Sequence, residues 1–362
     1  LIHLSHDSLR AYLESFLGGT VEIVAVRPLG ETGEKKTIKG FGYGIPVLIE
    51  YRVDGKSSRA VLATMKQNHF GHEEMEDRAQ ALLENHRVFN RLPLHVQSID
   101  VGCFRQKGDL VSLKGVDEFF LLMEYVEGEE YFRDMARLRE TGVLGDLDLV
   151  RADALCDYLV KIHRVTGPDP GLYVRRIREL LGHGECIMGL ADSYPARYEF
   201  ITSDLLEAVE ERCVAWRWRL KGLSHRLRQV HGDFHPWNIL FREGADFSVL
   251  DRSRGEWGEP ADDVTCLTMN YLFFSLQRSG RLEGGLEILF QRFWRRYLDQ
   301  TGDREILTVV APFFAFRGLV MASPIWYPNL PDGVRKKIFN FIQEVLKAER
   351  FDPERVNAYC GV

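Results

Sequence analysis

The spacing of apolar and polar positions changes character along the chain. Residues 7–17 place Leu9, Tyr12, Leu13, Phe16 and Leu17 at helical spacing and predict an amphipathic helix. Residues 21–26, 47–53 and 59–66 then read as strands, the last two joined by Asp54, Gly55 and Lys56. Residues 71–92 return to a helical pattern, with Met75, Ala79, Leu82, Leu83 and Phe89 on the apolar side. The apolar run at residues 119–126 predicts a buried strand. From Tyr131 onward the period is helical, with helices expected at residues 147–165, 174–182, 198–223, 262–278, 282–301, 308–323 and 332–350. The expected class is α+β: a sheet-bearing first part and a larger, mostly helical second part.

The helical pattern is interrupted once, at residues 230–263. Two short apolar runs, 239–241 and 247–250, flank a polar turn, 242–246, that carries Gly244. This is a hairpin signal. With the turn centred between Gly244 and Ala245, Asn238 falls opposite Asp251. Directly opposed residues of an antiparallel pair have Cα atoms roughly 4.5–5.5 Å apart. An amide and a carboxylate held so close suit a hard, oxygen-seeking cation. Just upstream stands His231-Gly232-Asp233, so the stretch has the form H-x-D-x-x-x-x-N followed by a strand-ending aspartate. ATP-dependent phosphoryl transfer needs these residue types: one carboxylate to take the hydroxyl proton, an amide and a second carboxylate to hold Mg²⁺.

The run from His231 to Leu240, HGDFHPWNIL, resembles the catalytic segment of the aminoglycoside phosphotransferase and choline kinase superfamily. Glycine before the aspartate, where protein kinases carry arginine, favours a small-molecule kinase. The resemblance implies a bilobal protein-kinase-like fold. Residues 1–123 would form the nucleotide-binding lobe, an antiparallel sheet with one main helix. Residues 124–362 would form a mostly helical catalytic and substrate-binding lobe, with a hinge at about 124–128. It implies Asp233 as the catalytic base and Asn238 and Asp251 as metal ligands. Lys66 would bridge the α and β phosphates. Glu76 is preferred over Glu84 as its orienting acid, because at 100° per residue Glu76 borders the apolar stripe. Gly40, Gly42 and Gly44 would cover the phosphates, although Gly30 and Gly33 also fit that role. The hinge backbone at Glu124 and Val126 would meet the purine, which leaves ATP and GTP both open. Further on, Gly258, Pro260 and Asp263 match the family's G-x-P-x-x-D segment, whereas Arg252 replaces its usual aromatic. Asp263 is expected to be structural and His163 a packing residue. Trp216 and Trp218 are expected to pack, and Glu259, Trp326 and Tyr327 are acceptor-side candidates by position.

Composition narrows the partners. The 362 residues are 45% hydrophobic, enough for two domains, and the formal net charge of −6 argues against a broad nucleic-acid surface. No apolar run reaches the roughly 20 residues of a membrane span. The longest candidate, residues 307–322, is broken by Pro312 and Arg317. Residues 1–17 carry His3, His6, Asp7, Arg10 and Glu14 and are not expected to be a signal peptide. The six cysteines are scattered without a C-x-x-C pair and read as reduced thiols of a cytoplasmic protein. The expectation is a Mg²⁺- and ATP-dependent kinase of a small hydroxyl acceptor, monomeric or homodimeric, without nucleic-acid or membrane partner. A non-catalytic nucleotide-binding module is the alternative. A metal-dependent phosphoesterase using His231, Asp233 and His235 is a third reading. Glu256, Glu259 and Asp262 would suit a cationic acceptor, Arg252 and Arg254 an anionic one.

Overall fold

Ser5 caps the first helix, α1 (His6–Leu17), its hydroxyl accepting the Ser8 N–H at 3.0 Å. The helix buries Leu9 and Leu13 in a small core with Val21, Ile49 and Tyr51. These come from a three-stranded antiparallel sheet, β1 (Val21–Pro28), β2 (Val47–Val53) and β3 (Lys56–Leu62), ordered β1-β2-β3. The structure, a computed structural model, describes residues 5–29, 46–68, 70–91, 93, 95–105, 109–113, 115–116, 118–196, 198, 200–252 and 254–362. The chain divides into two compact units, Leu1–Met123 and Glu124–Val362. The first unit adds α2 (Met75–Phe89) and a short ladder of β4 (Gly102–Phe104) with β5 (Leu110–Ser112). Tyr12 of α1 donates to the Asp100 carboxylate at 2.7 Å.

Two expectations for this unit change. Strand β3 ends at Leu62, so Lys66 lies beyond it in irregular backbone. The apolar run at 119–126 forms no strand, and Phe120, Leu121, Leu122 and Tyr125 are 79–90% exposed. A strand persists only where a neighbour takes up its N–H and C=O groups. Among the described residues none pairs with this run.

The second unit is built around two buried helices. Its elements begin with β6 (Glu129–Glu130), α3 (Phe132–Thr141), α4 (Asp146–His163), α5 (Pro170–Gly182), α6 (Ile187–Ser193) and α7 (Ser203–Leu220). The catalytic-type stretch supplies β7 (Arg228–Gln229), β8 (Ile239–Phe241), β9 (Phe247–Val249) and β10 (Trp257–Gly258). Then follow α8 (Pro260–Ser279), α9 (Gly284–Thr301), α10 (Ala311–Ala322), α11 (Asp332–Lys347) and α12 (Val356–Tyr359). Sixteen of the twenty residues of α8 are buried, and eleven of the twelve in α10, so both are enclosed on all sides and lie inside the bundle. Pro260 opens α8 where its missing N–H has no helical partner to lose. Trp216 is buried and its indole donates to the Leu346 carbonyl at 3.0 Å. Trp218, expected to pack, is instead 61% exposed, with the Lys221 ammonium 3.3 Å from its ring centre. Helix α7 turns that face to water, and the cation covers the indole.

Candidate active site

The loop carrying Asp233 is held from below by a buried carboxylate. Asp263, fully buried in the first turn of α8, accepts the His231 N–H at 2.8 Å and the Gly232 N–H at 2.7 Å. It also accepts His163 Nε2 at 3.1 Å, while His163 Nδ1 meets the Tyr297 hydroxyl at 2.8 Å. Burial opposes the charge on Asp263, but the His163 hydrogen bond and the nearby imidazoles outweigh it and hold its pKa below the ordinary range. Gly232 has φ +87°, and a Cβ there would lie 3.1 Å from that of Arg254, so the loop needs glycine for both conformation and space. His231 Nδ1 accepts the Asp233 N–H at 3.3 Å, which puts the proton of the neutral ring on Nε2. Burial lowers the His231 pKa and keeps the ring neutral.

The chain then curls around Asp233. Its carbonyl accepts the His235 N–H at 2.9 Å and the Asn238 side-chain amide at 3.1 Å. The carboxylate has three basic neighbours. Arg317 Nη1 donates to Oδ1 at 2.6 Å, Arg254 Nη2 lies 3.9 Å from Oδ1, and His235 Nε2 lies 3.4 Å from Oδ2. Burial pushes the Asp233 pKa up, but the His235 hydrogen bond and the charges of Arg317 and Arg254 prevail and hold it well below the usual carboxylate range. Asp233 is therefore ionised at neutral pH, a weak base but a firm hydrogen-bond acceptor.

Asn238 and Asp251 sit at the ends of the hairpin, in a register one step from that expected. Ile239 pairs with Val249 and the Leu250 N–H donates to the Asn238 carbonyl at 2.8 Å, so Asn238 faces Leu250 and not Asp251. The turn is centred on Gly244, which takes φ +64°. One residue of slip would turn the Asp251 side chain to the other face. Asp251 itself takes φ +51°. That conformation costs a non-glycine residue about 1–2 kcal/mol, and such strain collects at functional sites. The Asp251 carboxylate is exposed and, like Asn238 Oδ1, accepts no hydrogen bond among the described residues.

The remaining expected residues divide. Lys66 and Glu76 are both exposed and share no ion pair among the described residues, so the expected pair is not formed. An exposed pair gains little and loses the freedom of two long side chains. Glu124 and Val126 lie in the irregular segment and their backbone groups have no partner among the described residues. Gly40, Gly42 and Gly44 lie outside the described residues, as do Gly30 and Gly33. Arg252 is not an anion clamp: it donates to the Val230 carbonyl at 2.9 and 3.1 Å and to the Glu256 carbonyl at 3.1 Å. Glu259 is not an acceptor contact. It is buried at the N-terminus of α8, receiving Arg226 at 2.6 and 2.9 Å and the Tyr173 hydroxyl at 2.8 Å. His235 Nδ1 accepts the Trp237 N–H at 3.2 Å. With both histidines engaged with backbone, the phosphoesterase reading lacks its ligands. No cluster of three or more His, Cys, Asp or Glu able to hold a metal ion occurs among the described residues. Arg317 went unrecognised in the sequence as a site residue. Its signal was a lone charge inside an otherwise apolar helix.

The family model described as APH, phosphotransferase enzyme family, matches residues 50–304. No curated protein matches the sequence. Among solved structures, the amicoumacin kinase hAmiN, in complex with AMP-PNP, Ca²⁺ and Ami, is similar at 15% identity, covering 98% of this chain and 94% of that one with a TM-score of 0.42. The choline kinase LicA from Streptococcus pneumoniae is 14% identical over 94% of this chain and 98% of its own, with a TM-score of 0.35. The ADP-bound aminoglycoside phosphotransferase APH(2'')-Ib is 14% identical over 95% and 97%, with a TM-score of 0.33. At these scores the likenesses bear no weight on what the chain does.

Proposed function

Given that the chain belongs to the phosphotransferase enzyme family, we propose that it is a small-molecule kinase moving the γ-phosphate of ATP to an acceptor hydroxyl. One observation carries the reading: the ionised Asp233 stands on the same short loop as Asn238, and Asp251 follows two residues after the hairpin's second strand. In the reaction the acceptor oxygen bonds the γ-phosphorus, and the bond to the β–γ bridging oxygen breaks. ADP leaves, and the hydroxyl proton passes to Asp233 and on to solvent. A base of such low proton affinity takes the proton late, so Asp233 acts chiefly by orienting the hydroxyl.

Asn238 Oδ1 and the Asp251 carboxylate fit a hard divalent cation such as Mg²⁺, because both are oxygen donors left without hydrogen-bond partners. Bound there, the cation would neutralise charge on the triphosphate. Lys66 is proposed to meet the α and β phosphates and Gly40, Gly42 and Gly44 to cover them. Glu124 and Val126, with free backbone groups, are proposed to meet the purine edge. With Arg252 and Glu259 engaged elsewhere, Arg254 is the candidate for an anionic group on the acceptor. Its Nε and Nη1 are buried and have no hydrogen-bond partner among the described residues.

ADP release from Mg²⁺-ATP, measured over aminoglycosides, amino alcohols, sugars and macrolides, tests the reading. Acceptor-dependent release that disappears with EDTA is expected. Nucleotide binding without transfer to any of these hydroxyls would contradict it and favour the binding-module alternative.

A further inference from the structure

We propose that Arg317 is the positioning residue for Asp233, an inference that rests on the kinase reading above. Arg317 is the only charged residue of α10 and lies beyond residues 50–304, the part matched to the family. It is 4% exposed. Its guanidinium links two segments. Nη1 donates to Asp233 Oδ1 at 2.6 Å, while Nη2 donates to the Gly232 carbonyl at 3.0 Å and to Asp262 Oδ1 at 2.6 Å. The Phe316 ring packs under it, with the guanidinium carbon 4.5 Å from the ring centre.

A charge in so apolar a helix persists only when its partners are fixed. Packing between α10 and α8 would need only the Asp262 contact. The further reach to Asp233 and to the carbonyl beside it fixes both the carboxylate and its own backbone. Arg317 engages Oδ1, and Oδ2 is left facing His235. Oδ2 is therefore the oxygen presented to the acceptor hydroxyl. Lysine is a point donor without this planar fork and cannot replace it.

The test compares Arg317→Lys with Asp262→Asn. Each weakens the α10–α8 link, the second by replacing a charged acceptor with a neutral one, but only the first disturbs the Asp233 contact. ADP release from Mg²⁺-ATP is followed with water and with the acceptor panel, beside thermal unfolding. Arg317→Lys is expected to lower kcat by about 10- to 1000-fold with KM for ATP changed less than about threefold. Asp262→Asn is expected to lose a similar part of its melting temperature while kcat falls less than about threefold. Arg317→Gln, which loses the charge but keeps a shorter amide donor, is the second route should the lysine variant fail to fold, and an equal or larger loss of kcat is expected. If kcat falls alike in the Arg317 and Asp262 variants, in step with stability, Arg317 is structural only and this inference is overturned while the kinase reading stands. If the wild-type protein releases no ADP under any condition, both fall.

Discussion

The Asp263→Asn substitution tests whether the loop bearing Asp233 is set from beneath by a buried charge. The carboxylate serves three donors: the His231 and Gly232 N–H groups and His163 Nε2. Oδ2 takes the His231 and His163 bonds and Oδ1 the Gly232 bond. An amide has one acceptor oxygen, so placing it where Oδ2 was turns its NH₂ group toward the Gly232 N–H. One buried donor unsatisfied costs about 1–3 kcal/mol, and two bonds reduced from charged to neutral lose about 0.5–1.5 kcal/mol each. The sum is about 2–6 kcal/mol. At roughly 2–4 °C per kcal/mol for a unit of this size, the melting temperature should fall by about 4–24 °C. Circular dichroism at 222 nm reads the unfolding. The sign with pH follows from the depressed pKa of Asp263. Its stabilisation is complete above the unfolded value of about 3.9 and is lost as pH falls through the lower folded value. The gap between wild type and variant should hold from pH 7 to about 5 and narrow below about 4. A fall of under about 2 °C at pH 7, or a gap that widens on acidification, would refute the reasoning.

Two further substitutions separate chemistry from scaffold. Asp233→Asn removes the charge facing the acceptor and should lower kcat by about 10²–10⁴ with far-ultraviolet circular dichroism unchanged; turnover like wild type would remove the base assignment. Glu259→Gln leaves the buried Arg226 with Asp303 and Glu305 as its ionic partners among the described residues. Breaking one side of a buried pair should cost about 3 kcal/mol in urea unfolding, with acceptor KM unaltered, and a raised KM with unchanged stability would return Glu259 to the acceptor site.

The sequence displayed the site's chemistry more clearly than its geometry. The two apolar runs around Gly244 predict the hairpin, and the order of Asp233, Asn238 and Asp251 marks its chemistry. The register did not follow, because it depends on which residue takes the left-handed conformation. Both Gly244 and Asp251 do, at φ +64° and +51°. Composition permits several positions for such a residue in a five-residue turn. Arg317 was visible only as a break in an apolar run. Its meaning depends on carboxylates 55 and 84 positions away in sequence. Arg252 stands where the family usually has an aromatic and suggests an anion clamp from sequence, yet it ties the Val230 and Glu256 carbonyls together. The run at 119–126 has strand composition, but β propensity expresses fit to neighbouring strands, and among the described residues none pairs with it.

The central claim is that Asp251, with Asn238, holds the cation through which the nucleotide binds. Calorimetric titration of Mg²⁺-ATP into wild-type protein and into Asp251→Ala tests it most directly. Binding by the wild type that is abolished by EDTA, and absent from the variant in the presence of Mg²⁺, is the predicted result. Wild-type affinity in Asp251→Ala would contradict it.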